Sequence, residues 1–158
     1  MDLEQLKVKA GEFMEYAQSL LTRDGFLDPI MFSIIDDSST PVALKLNNTE
    51  DMDMAKECIK QTAEISDAVI LIVDFCLVET KSPVLPETEN LPNLEDLPED
   101  LKTHPDAVNA IVCILYTKTE SLIKQLFYAK ANEKINFFEN TWEPATFHDG
   151  HFENPYLK

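Results

Sequence analysis

The stretch from Gly25 to Thr80 reads as strand, turn, strand, helix, strand, and no other part of the chain is patterned densely enough to set an architecture. Phe26 to Asp36 reads as a strand. Pro29 near its start lacks a ladder donor, which suits an edge strand or the first position of pairing. Asp36-Asp37-Ser38-Ser39-Thr40 is a turn cluster. Pro41 to Asn47 then alternates Val42, Leu44 and Leu46, so the two strands read as a hairpin. Asn48 or Thr49 can cap the next helix, with Glu50, Asp51 and Asp53 at the positive end of its dipole. Met52, Ala55, Cys58, Ile59, Thr62, Ala63 and Ile65 form its expected buried face, and Ser66-Asp67 closes it. Ala68 to Glu79 opens as an aliphatic run without alternation. That predicts a central strand covered on both faces at its start.

The flanks complete the reading. Residues 2 to 23 form an amphipathic helix with Leu3, Leu6, Ala10, Phe13, Ala17 and Leu20 on one stripe, widened by Met14 and Leu21. Gly11 inside it costs about 1 kcal/mol relative to Ala, a cost that close approach to a sheet would explain. Arg23-Asp24-Gly25 ends that helix. Residues 81–106 are rich in Pro and acids and carry recurrent leucines, as expected of a long functional loop or strap. Val108 to Lys118 is a further strand. Leu122 to Ala131 fits either helical or strand spacing, and a three-stranded meander is preferred. Residues 143–158 read as an irregular tail. The expected class is α+β with a mainly antiparallel sheet. An N-terminal helix, a hairpin and a helix precede three to four further strands, and the helices pack on one face of a single domain spanning residues 1–158.

Composition narrows the function classes. The formal net charge of -16, from 13 Lys and Arg against 29 Asp and Glu, disfavours direct contact with nucleic acid or an anionic membrane. The N-terminus lacks the basic and apolar regions of a signal peptide, and the longest apolar run, Ala68 to Val78, is too short to span a bilayer. The three cysteines, Cys58, Cys76 and Cys113, fall inside expected helix or strand, which suggests reduced thiols and a cytoplasmic protein.

Chemistry-bearing residues are few. Asp74 interrupts the best strand, so it either reaches a partner, marks a site, or faces solvent on an open face of the sheet; the last is expected. Glu79 at the strand end and His104 in the long loop are the other weak catalytic candidates. His148 and His151, separated by Asp149-Gly150, are the one weak metal pair, although no second ligand pair accompanies them and no native metal is expected. Nucleophile elbows and phosphate-binding glycine loops are absent from the sequence, and no cofactor is expected.

These readings favour a non-enzymatic acidic module of accessory, inhibitory or immunity type. It would bind another protein through a basic surface, with self-association left open. A small hydrolase or metal-dependent enzyme, using Asp74 or Glu79 with histidines, is the alternative. A mimic of nucleic-acid charge is a third.

Overall fold

A computed structural model describes residues 2–76, 108–131, 134–139, 142–144 and 154–156. Helix α1 (Leu3–Asp24) starts on a capping box: Asp2 Oδ1 accepts from the Gln5 N–H, and Gln5 Oε1 accepts from the Asp2 N–H. It stops at Gly25, whose φ of 79° lets its N–H turn back onto the Leu21 carbonyl at 2.8 Å. Strands β1 (Ile30–Ile35) and β2 (Ser38–Ala43) follow. Helix α2 (Thr49–Ile65) is capped by the Asn48 side chain, which accepts from the Asp51 N–H. Strands β3 (Ala68–Cys76), β4 (Val108–Tyr116), β5 (Ser121–Ala131), β6 (Lys134–Glu139) and β7 (Glu143–Pro144) complete the chain. The sheet runs β2-β1-β3-β4-β5-β6, with β7 also on β5, and every pairing is antiparallel.

The α+β class and the antiparallel meander agree with the sequence reading. So does the double cover of β3, and its source is specific. Ile70 and Ile72 point to the side of α1, where Leu6, Ala10, Met14, Ala17 and Leu21 are buried. Val69, Leu71 and Val73 point to the side of α2, against Met52, Ala55, Ile59 and Ala63. Strict alternation along β3 therefore feeds two apolar clusters, with one helix on each face rather than both helices on one. Phe13 of α1 stacks on Phe32 of β1 with ring centroids 3.8 Å apart, which ties the first helix to the hairpin.

The hairpin differs in detail. Ile35 pairs with Ser38, so only Asp36-Asp37 turn, and Ser38, Ser39 and Thr40 belong to β2. Asp36 takes φ 52°, a left-handed conformation that Asp tolerates, and its N–H donates to Asp67 Oδ2 at 2.7 Å. Pro29 precedes β1, which is an interior strand; its carbonyl accepts from Leu44 N–H at 3.0 Å. That bond sets the parity of β2. Residues 38, 40, 42 and 44 turn their backbone groups toward β1, so Ser39, Pro41 and Ala43 face outward. Pro41 thus removes a donor from the middle of the free edge, a device against unwanted strand pairing.

Three further expectations change. Ile65, read as part of the buried face of α2, is 70% exposed. The register of α2 is centred on Met52, Ala55, Ile59 and Ala63, which carries position 65 round to the outside. Gly11 approaches nothing: a Cβ there would meet open space. Glu143 and Pro144, read as irregular tail, pair with Ile123 and Leu122 as β7. The long loop 81–106 lies outside the described residues. No helix among the described residues is long and apolar enough to cross a membrane.

Candidate functional site

Asp74 lies on the α1 side of β3, opposite Ile111 of β4, which in turn pairs with Leu126 of β5. Tyr128, two residues further along β5, shares that face and is long enough to reach back across β4. Its hydroxyl donates to Asp74 Oδ1 at 2.5 Å. Asp74 is half-buried and Tyr128 is buried. The sequence reading placed Asp74 on a solvent-open face; the register of β3, β4 and β5 supplies a phenol instead. A short hydrogen bond from a hydroxyl to a carboxylate is a strong one. It fixes the carboxylate's orientation, and the ring of Tyr128 packs against Phe137 at a centroid distance of 5.9 Å.

Glu79, His104, His148 and His151 lie outside the described residues. Among the described residues, no group of three or more His, Cys, Asp or Glu side chains is arranged to hold a metal ion. Cys113 is buried on the α1 side of β4, and desolvation drives its thiol pKa far above the ordinary range. Tyr116, buried on the α2 side, has its phenol pKa raised for the same reason.

A second polar cluster closes the opposite end of β3. Ser33 of β1 and Ser66 after α2 share a hydrogen bond of 2.6 Å, and the Ser66 hydroxyl also reaches the Thr62 carbonyl at 2.5 Å. The Asp67 N–H donates to the Ile34 carbonyl at 2.7 Å. The C-terminal residues fasten onto this end. Asn154 Nδ2 donates to the carbonyls of Thr117 and Glu120, and Asn154 Oδ1 accepts from the Tyr156 N–H. Tyr156 Oη donates to the Ser66 carbonyl at 2.9 Å. Burial, and then the nearby Asp67 charge, push the Tyr156 phenol up to about 12. Sequence reasoning missed this clasp. Asn-Pro is a turn signal, and an Asn side chain accepting from the second residue onward is its usual geometry, so the local part was legible.

The third feature is a surface of charge and exposed apolar side chains around α2. Ile35 has the strand parity of Met31 and Ser33, which places it on the α2 side, and it is 41% exposed. Met54 is 66% exposed. Met54, Cys58 and Ile65 follow one another at four and then seven residues, so they form a stripe beside the buried one. Asp36, Asp37, Glu64 and Asp67 surround its far end. Among the described residues none of these four forms an ion pair. Elsewhere on the two helices Glu4 pairs with Lys7, Glu12 with Lys9, Asp24 with Arg23 and Glu57 with Lys60.

No protein-family model, curated protein sequence or solved structure matches this chain.

Proposed function

We propose that this protein is a non-enzymatic acidic module of accessory, inhibitory or immunity type, acting in the cytoplasm by binding another protein through that protein's basic surface. The observation that carries the reading is the segregation of charge. The acids of α1 are largely matched by neighbouring Lys and Arg. Among the described residues Asp36, Asp37, Glu64 and Asp67, at the β1–β2 turn and the C-terminal end of α2, form no ion pair and lie near exposed apolar side chains, whereas Glu57 in the middle of α2 pairs with Lys60. Helix α2 also has acids in its first turn and no basic residue in its last. Its negative C-terminal pole therefore adds to the field of Glu64 and Asp67. A field of one sign steers a partner of the opposite sign and raises its rate of encounter. Apolar anchors then supply the residence time.

The test is affinity capture from cell extract at low and at high salt, followed by mass spectrometry and reconstitution with the purified partner. The expected result is a basic protein that binds directly, with an association rate that falls steeply as salt rises. A direct partner of acidic charge whose association ignores salt would overturn the reading.

A further inference from the structure

The exposed apolar stripe of α2 adds a specific surface to the proposed binding role, on which this inference rests. Helix α2 carries two apolar stripes. One, Met52, Ala55, Ile59 and Ala63, is buried against the sheet. The other runs Met54, Cys58, Ile65, with Met54 and Ile65 largely in solvent and Cys58 half-buried against the α2-side core. A surface helix needs one apolar face to hold it to its domain; a second, flanking stripe has no such task. Cys58, like Val42 and Leu46 after β1, is partly buried against the α2-side core. Ile35 extends the apolar surface past the end of α2, because the Asp36 N–H to Asp67 bond draws the hairpin turn against the α2–β3 junction.

We propose that this flank is a docking surface for a basic amphipathic helical segment of another protein. Charge selects the occupant. Asp36, Asp37 and Asp67 lie at the end of the stripe, with Glu64 in the last turn of α2 four residues from Lys60, while Lys56 and Lys60 lie two residues round the helix from Met54 and Cys58, on the other side. A segment presenting Lys or Arg at its borders and apolar side chains at helical spacing matches this pattern. Strand addition fits less well, because Pro41 interrupts the donor row of the neighbouring free edge.

The experiment uses the full chain and a fluorescein-labelled Leu/Lys peptide designed as an amphipathic helix, followed by anisotropy at low ionic strength. A peptide of the same composition, scrambled to abolish the apolar face, is the control. The expected result is binding that weakens by about tenfold or more in Met54→Ser/Ile65→Ser, with an unchanged thermal midpoint. Asp37→Lys/Glu64→Lys should weaken it similarly without touching either core. Val8→Ser/Tyr16→Ser, which alters exposed side chains of α1, should leave it unchanged. Equal affinity of Met54→Ser/Ile65→Ser and the natural protein overturns the surface. If that equal binding is salt-sensitive, the broader acidic-binding reading survives it. Equal binding of the scrambled peptide also overturns the surface. Absence of any low-salt binding to either peptide removes both readings. Concentration-dependent self-association that disappears in Met54→Ser/Ile65→Ser would replace the proposed partner with a second copy of the chain.

Discussion

The Asn154-Pro155-Tyr156 clasp should contribute measurably to stability, and in a pH-dependent way. Tyr156→Phe keeps the ring against the α2-side core and removes one hydrogen bond, to the Ser66 carbonyl at 2.9 Å. The net cost of such a bond is about 0.5–1.5 kcal/mol. For a domain of this length that corresponds to a fall in thermal midpoint of about 2–4 °C per kcal/mol. Asn154→Ala removes more: two bonds to the Thr117 and Glu120 carbonyls and the acceptor for the Tyr156 N–H. It should cost about 2–3 kcal/mol.

The pH dependence has a definite sign. The Tyr156 phenol ionises at about 12 in the folded chain against 10.0 ordinarily. Above pH 10.0 the unfolded chain releases this proton while the folded chain holds it, so stability declines with rising pH toward about 12. The contribution is complete below the unfolded value. Solvent reaches part of the ring, so screening keeps the loss well under its full linkage value. Urea unfolding at pH 8 and at pH about 11 checks this. The decline between the two should be smaller in Tyr156→Phe than in the natural chain, because Tyr116, also shifted upward by burial, contributes to both. Equal midpoints at pH 8 together with equal declines would refute the clasp as a stabilising contact.

Other outcomes follow from single contacts. Asp74→Asn keeps an acceptor for Tyr128 and should cost under about 1 kcal/mol, whereas Asp74→Ala should cost about 1–3 kcal/mol. Combined with Tyr128→Phe in a double-mutant cycle, Asp74→Ala should fall short of additivity; strictly additive losses in urea unfolding would deny the coupling. Gly11→Ala should stabilise by about 0.5–1 kcal/mol, since its Cβ meets open space within α1; a lower thermal midpoint would contradict this. Brief alkylation of the native protein should leave Cys113 unmodified and modify it fully in denaturant; a labelled Cys113 in the native state would mean that β4 is less enclosed than described.

Sequence by itself determined the local elements and the fold class, because those depend on spacing along one segment. Periodicity placed α1, α2 and β4 within a residue or two and the start of β3 at Ala68, and Asn48 and Gly25 marked helix limits through their own side chain or conformational freedom. The aliphatic run of β3 announced cover on both faces. Tertiary structure decided whatever depended on register between segments far apart in the chain. Tyr128 lies two strands and 54 residues from Asp74, and only the offsets β3 to β4 to β5 bring phenol and carboxylate together. The helices came to occupy opposite faces because alternation along one strand serves two partners, which no single segment encodes. Asn154-Pro155-Tyr156 reads as a turn; that it closes over Ser66, 90 residues away from Tyr156, is a property of the assembled sheet end. Ile65 looked like a core residue because short apolar periodicity accepts neighbours on either side. Packing chose the stripe centred on Ile59 and left Ile65 and Met54 outside, where an apolar side chain gains only by meeting another surface.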